Sequence, residues 1–259
     1  MFKKDYQKIH SSKYVFGYLE KNVERHIWLV CSPKSGSTWL SRIIQDLLKW
    51  KTVKLVPAFG NREQEVDLST ILAAGVKGDL FSPHLHCRYS DYTGSIIDAM
   101  GSKVILQTRN IYDTIVSFYD HIQKEGPTFP SGYMNQECWD QLDESSRYEY
   151  LVELVTPWYF NFYCSWYFSR HFQEEKVKLV TYEELKNNPV ETVSKVLDFC
   201  DVSISKERIE TSIEKGKKKN TRQNKGIIGR GDQLSDELKS KVKGYTKFYP
   251  GVDFSPMGI

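Results

Sequence analysis

Three times along the chain, a short run of consecutive apolar residues gives way to a longer run with helical spacing. Residues 27–31 precede 40–50, residues 104–108 precede 111–124, and residues 177–180 precede 190–200. A strand that is apolar at every position is buried on both faces, and parallel strands need a crossover of helical length between them. The pattern therefore predicts an α/β fold, a parallel sheet flanked by helices on both faces, in one domain spanning residues 1–259. Residues 158–172 are heavily aromatic but broken by Asn161, Ser165, Ser169, Arg170 and His171, which predicts a buried helix with some rings free to line a pocket. Residues 56–78 and 126–146 mix Gly, Pro, polar and aromatic positions and are candidate loops over a ligand site. No internal repeat or low-complexity stretch interrupts this organisation.

The chemistry sits where strand-like runs end. Pro33-Lys34-Ser35-Gly36-Ser37-Thr38-Trp39 fills the first junction. A turn entering a helix offers backbone N–H groups without acceptors, and the helix dipole adds positive character, so an anion is stabilised there. Gly36 permits close backbone approach, Lys34 brings a full charge, Ser35, Ser37 and Thr38 bring hydroxyls, and Trp39 brings an aromatic face for a nucleobase. The magnesium-dependent nucleotide loop places its lysine after the second glycine, whereas Lys34 precedes Gly36. The second junction carries Arg109, whose planar fork suits phosphate, Asn110 as a helix cap, and Ser117 about two turns into the helix. Between the two lies Phe81-Ser82-Pro83-His84-Leu85-His86. An imidazole is neutral near pH 7 and able to take a proton, so His84 and His86 are both candidate general bases. His84, His86 and Cys87 also admit a metal reading, but they lack the paired spacing of zinc sites. Tyr182 follows the third strand-like run, in Thr181-Tyr182-Glu183-Glu184-Leu185-Lys186-Asn187-Asn188-Pro189. Finally, residues 215–230 concentrate Lys217, Lys218, Lys219, Arg222 and Lys225 ahead of Gly226-Ile227-Ile228-Gly229.

In order along the chain, these segments resemble the landmarks of the cytosolic sulfotransferase family. That family carries Y-P-K-S/A-G-T-x-W, K-T-H-L-P, R-N-P-x-D-x-x-x-S, Y-E-D/E-L/M-x-x-N/D-P and R-K-G-x-x-G-D/E-W/H. The resemblance runs from Pro33 to Gly229 and implies a P-loop-like α/β fold. It also implies transfer of the sulfuryl group from 3′-phosphoadenosine 5′-phosphosulfate (PAPS) to a hydroxyl or amine of a small-molecule acceptor, in line and without a metal. On this resemblance the loop of Lys34, Ser35, Gly36, Ser37, Thr38 and Trp39 holds the 5′-phosphosulfate. Arg109, Ser117 and the Asn224-Lys225-Gly226 segment hold the 3′-phosphate, Tyr182 helps hold adenine, and His84 is the base, with Lys34 stabilising charge on the departing phosphate. Several departures from the pattern bear on the chemistry. Ile111 and Tyr112 replace the proline and its neighbour, Ser82 replaces a lysine, Asn224 replaces an arginine, and Arg230-Gly231 replaces an acidic-aromatic pair. Whether Arg222, Asn224 or Arg230 completes the phosphate site stays open.

Composition narrows the picture only a little. The 259 residues, 40% hydrophobic, suffice for one substantial core, and the formal charge of +3 is small. Basic residues concentrated in one segment point to local anion binding more than to a nucleic-acid surface. Five widely spaced cysteines suggest reduced thiols in the cytoplasm. Residues 1–22 are lysine-rich without the apolar core of a secretory signal, and no run approaches a membrane span, so neither nucleic acid nor membrane is expected as a partner. A P-loop kinase or hydrolase, and a non-catalytic nucleotide- or nucleic-acid-binding protein, are the competing classes.

Overall fold

The computed structural model describes residues 13–58, 62–218 and 226–259. Its centre is a five-stranded sheet of β1 (Val23–Cys31), β2 (Lys51–Thr52), β3 (Gly78–Leu85), β4 (Ser102–Thr108) and β5 (Val177–Thr181), in the order β2-β3-β1-β4-β5. All four pairings are parallel. Side chains alternate across β1. Ile27 and Leu29 join Phe81, Ile105 and Val180 on one face, while Trp28 and Val30 join Leu80, Val104 and Leu106 on the other. Helices cover both faces, which is why the strands read as unbroken apolar runs. The first face packs against α1 (Ser37–Leu48), α4 (Pro189–Phe199) and α5 (Lys206–Lys218). The second packs against α2 (Ile111–Glu125) and α3 (Thr156–Tyr167).

The sequence pattern missed β3, although it is the strand that carries His84. Its Gly78, Asp79, Ser82 and Pro83 break the apolar run, yet Leu80, Phe81 and Leu85 are buried against both clusters. Pairing with β1 jumps from Trp28↔Ser82 to Val30↔Leu85, so β3 holds one residue more than its partner around Pro83 and His84. Such a bulge tolerates proline and re-aims the side chain it carries. The expected helix over 158–172 is two: α3 ends at Tyr167, and Ser169 caps a separate short helix, Arg170–Gln173. The two candidate loops are less bare than predicted. One contains the helix Leu68–Ala73 capped by Asp67, the other a hairpin of Thr128–Phe129 with Gly132–Tyr133 and the helix Gln136–Gln141 capped by Asn135.

His26 ties the sheet together internally. Its Nδ1 accepts from Trp28 Nε1 (2.9 Å) and from Ser102 Oγ (3.0 Å), which leaves the proton on Nε2 to be donated to Ser82 Oγ (2.8 Å). Burial pushes the His26 pKa from 6.5 down to about 3. The unfolded chain then binds a proton that the folded chain refuses between those values. Folding stability is therefore full above pH 6.5 and falls as pH drops toward 3, by about 1.4 kcal/mol per pH unit from this residue. Urea unfolding at a series of pH values should show a shallower acid slope in His26→Asn than in the native protein.

Candidate active site

Four neighbouring strands, β3, β1, β4 and β5, end beside one cavity of about 940 Å³. His84 lies at the end of β3, Lys34 just beyond β1, Arg109 immediately after β4 and Tyr182 immediately after β5, and all four line that cavity. Gly36, Ser37, Thr38, Trp39, Ser117 and Gly226 line it as well. Ser35 does not. Its hydroxyl and backbone N–H both donate to the Ser32 carbonyl, its own carbonyl accepts from Gln107 Nε2 (2.9 Å), and it is 0% exposed, so its side chain shapes the turn from inside. Asn224, Lys225 and Arg222 lie outside the described residues.

The cradle depends on two left-handed residues, Lys34 (φ 65°) and Gly36 (φ 82°). A Cβ on Gly36 would lie 2.4 Å from Tyr182 Cδ2, so both the backbone angle and the Tyr182 ring demand glycine. Against the same ring lies the Arg109 guanidinium, its Cζ 4.4 Å from the centroid. Gly36→Ala should cost about 1–3 kcal/mol of stability, measured by calorimetry, because the strained angle and the displaced ring add. Arg109 also donates through Nη1 to the Lys34 carbonyl (3.3 Å) and through Nη2 to the Ile227 carbonyl (3.0 Å), so the two cationic loops are physically joined. Burial pulls the Lys34 pKa below its ordinary value, with Glu125 opposing the fall and Arg109 and Lys124 adding to it.

His84 itself is left-handed (φ 57°) at the β3 bulge, and its buried Nε2 has no hydrogen-bond partner among the described residues. Burial, then His86 and Arg42, push its pKa from 6.5 down to about 4, so the ring is neutral at pH 7. His86 also faces the cavity, but its Nδ1 donates to the Cys31 carbonyl (2.7 Å). Ser82, in the position of the family's lysine, is buried on His26 and lies outside the cavity wall. Arg42, three residues past Trp39, is a cation in that wall.

The remaining walls come from the segments read as loops and from the aromatic helix. Residues 56–78 supply Arg62, Glu63 and Gln64, residues 126–146 supply Phe129, Pro130 and Ser131, and α3 supplies Trp158, whose Nε1 donates to Glu63 Oε2 (3.2 Å). Sequence reasoning missed the groups that hold the loops in place. Gln107 braces the cradle from within β4, Tyr159 donates to the Pro33 carbonyl (3.2 Å), and Glu183 accepts from the Asn110 N–H (3.2 Å). Gln107 left a signal, as a polar residue inside an apolar strand just before Arg109. The other two left none, because a tyrosine in an aromatic helix and a glutamate in a helix's first turn are ordinary. Among the described residues, no group of three or more His, Cys, Asp and Glu side chains is placed to hold a metal, and no helix is long and apolar enough to cross a membrane.

A parallel sheet whose consecutive carboxyl ends surround a cationic cavity defines an α/β protein of the class that binds its ligand outside the strand ends. The model of the sulfotransferase domain matches residues 24–241, and the chain belongs to the sulfotransferase family. Sulfotransferase 6B1 of Mus musculus is 28% identical over 194 residues, covering 71% of this chain and 58% of that protein. Sulfotransferase 6B1 of Pan troglodytes is 28% identical over 211 residues, covering 76% and 62%. The chain thus spans less than two thirds of the length of these relatives. Among solved structures, mouse sulfotransferase SULT7A1 complexed with PAP superposes with a TM-score of 0.66 at 20% identity, over 95% of this chain and 92% of that one. Retinol dehydratase in complex with androsterone and PAP gives 0.59 at 16% identity, over 88% and 83%. At these identities the likeness is one of fold, and it matches the parallel sheet and two helical layers described above.

Proposed function

We propose that this chain transfers the sulfuryl group of PAPS to a hydroxyl or amine of a small-molecule acceptor, with His84 as general base. The observation that carries the proposal is one cavity lined by Arg109, Trp39 and His84, each of which has a buried side-chain nitrogen (Arg109 Nε, Trp39 Nε1, His84 Nε2) with no hydrogen-bond partner among the described residues. An unsatisfied buried polar group costs about 1–3 kcal/mol, so these positions favour a ligand that supplies what the protein does not. A nucleotide with phosphates at both ends fits that need. Lys34, the cradle N–H groups, Ser37 and Thr38 would take the 5′ end, Arg109 and Ser117 the 3′ end, and Trp39 and Tyr182 the base. The PAP complexes of the two structurally similar proteins support the same donor.

His84 would accept the acceptor's proton as the oxygen or nitrogen attacks sulfur, while Lys34 offsets charge developing on the departing phosphate. Positioning by these fixed groups supplies most of the rate. The acceptor would lie against walls supplied by Gln64, Phe129 and Trp158, which line the same cavity as His84. A reducing cytoplasm suits the five cysteines, Cys31, Cys87, Cys138, Cys164 and Cys200, all of which are free.

Thermal shift with adenosine 3′,5′-bisphosphate, with magnesium and adenosine triphosphate, and with an oligonucleotide separates this proposal from its competitors. The bisphosphate should stabilise the chain by about 2.7 kcal/mol at a hundredfold excess over its Kd. A preference for either of the other two ligands overturns the assignment. Labelled PAPS incubated with an acceptor panel and read by mass spectrometry then identifies the acceptor.

A further inference from the structure

Residues 227–231 are strapped to α2 by a set of contacts with Asp113 at their centre. Asp113 is 1% exposed and accepts from the backbone N–H of Gly229 (3.0 Å) and of Gly231 (2.7 Å). One turn earlier, Arg109 Nη2 faces the same carboxylate at 3.5 Å and donates to the Ile227 carbonyl. Two turns later, Asp120 pairs with Arg230 at 2.8 Å. Asp113 and Asp120 stand seven residues apart, so they share a helix face, and together they hold a basic segment by its backbone and by its guanidinium. The approach is close enough that a Cβ on Gly231 would lie 2.4 Å from Tyr112 Cβ and 3.0 Å from the Tyr112 carbonyl carbon.

Asp113 is absent from the cavity wall, whereas Arg109 and Arg230 are in it. A carboxylate beside a phosphate would repel it. Behind the arginine, with its charge offset by one guanidinium and two N–H groups, the carboxylate instead fixes the direction of the donors. We infer that Asp113 is a positioning residue for the 3′-phosphate of the donor, locking the Arg109 fork and the 227–231 strap into one unit that closes on that phosphate. The inference rests on the sulfotransferase assignment. Asparagine in place of Asp113 keeps the shape, but one of its two polar atoms is a donor, so it cannot accept from both glycine N–H groups as the carboxylate does.

The test is calorimetric titration of the full chain with adenosine 3′,5′-bisphosphate and with adenosine 5′-monophosphate, which lacks the 3′ group. It compares the native protein, Asp113→Asn, and Gly231→Ala, which pushes the strap away from α2 while leaving Asp113 in place. Both variants should lose bisphosphate affinity by on the order of tenfold or more, with monophosphate affinity within about twofold of native. The KM for PAPS should rise while kcat at saturating PAPS changes little. The double variant should bind the bisphosphate no more weakly than the weaker single one, since both break the same lock. Equal loss of both nucleotides, or no loss of bisphosphate affinity in a folded variant, overturns the inference. Should Asp113→Asn fail to fold, Gly231→Ala alone decides by the same criterion. A native protein that does not prefer the bisphosphate over the monophosphate overturns the underlying sulfotransferase assignment, and the role of Asp113 falls with it.

Discussion

Replacing His84 with alanine should lower kcat for the proposed sulfuryl transfer by roughly 10²–10⁴-fold and leave the affinity for adenosine 3′,5′-bisphosphate within about threefold of native. The split is expected because Lys34 and Arg109, proposed to hold the phosphates, follow β1 and β4, whereas His84 reaches the cavity from the bulge in β3. The His84 pKa of about 4 sets the pH behaviour: a base works only when neutral, so its contribution is lost as pH falls through that value. The acid limb of kcat/KM should therefore lie below the 6.5 of an ordinary histidine. His86→Ala is the decisive comparison. With Nδ1–H donated to the Cys31 carbonyl, the other nitrogen of His86 keeps a basic lone pair, so the comparison tests both rings: the larger loss is expected for His84→Ala, and transfer that survives in His84→Ala and disappears in His86→Ala moves the base to the other ring.

Arg109→Ala should weaken bisphosphate binding by about a hundredfold or more and also destabilise the protein, by about 3–5 kcal/mol. Both effects follow from its contacts. The guanidinium bridges the Lys34 and Ile227 carbonyls, stacks on Tyr182 and offsets the buried Asp113 carboxylate. Removing it leaves that carboxylate without its counter-charge. Arg109→Lys separates the two effects, because an ammonium keeps the charge but loses the planar fork. It should recover more than half of the lost stability, measured by urea unfolding, while affinity measured by calorimetry stays at least tenfold below native. An Arg109→Lys protein that binds the bisphosphate as tightly as native would show that charge alone suffices there and that the fork plays no part.

Much of the fold was readable because buried parallel strands and amphipathic helices leave periodic traces. The runs at 27–31, 104–108 and 177–180 became β1, β4 and β5, and Asn110 caps α2 through bonds to the N–H groups of Tyr112 and Asp113. β3 was not readable. A strand carrying a bulge, a proline and a functional histidine breaks its own pattern, and only pairing with β1 on one side and β2 on the other shows that it is a strand at all. The break in the aromatic helix at Phe168 and Ser169 was hidden for the opposite reason. Apolar content continues across it, and the only local cue is Ser169, a capping residue that also occurs inside helices.

By itself, then, the chain determined which residues carry charge, which glycine and hydroxyls stand at a strand-to-helix turn, and that the sheet is parallel, because each is a property of neighbours in sequence. The tertiary structure decided how those residues act together: that Lys34, His84, Arg109 and Tyr182 face one cavity, that Ser35 turns inward, that Tyr182 presses on Gly36, and that Asp113 holds a segment more than a hundred residues away. Those relations join loops at the ends of strands whose order in the sheet differs from their order in the chain. Pairing between distant strands sets that order, and no local periodicity encodes it.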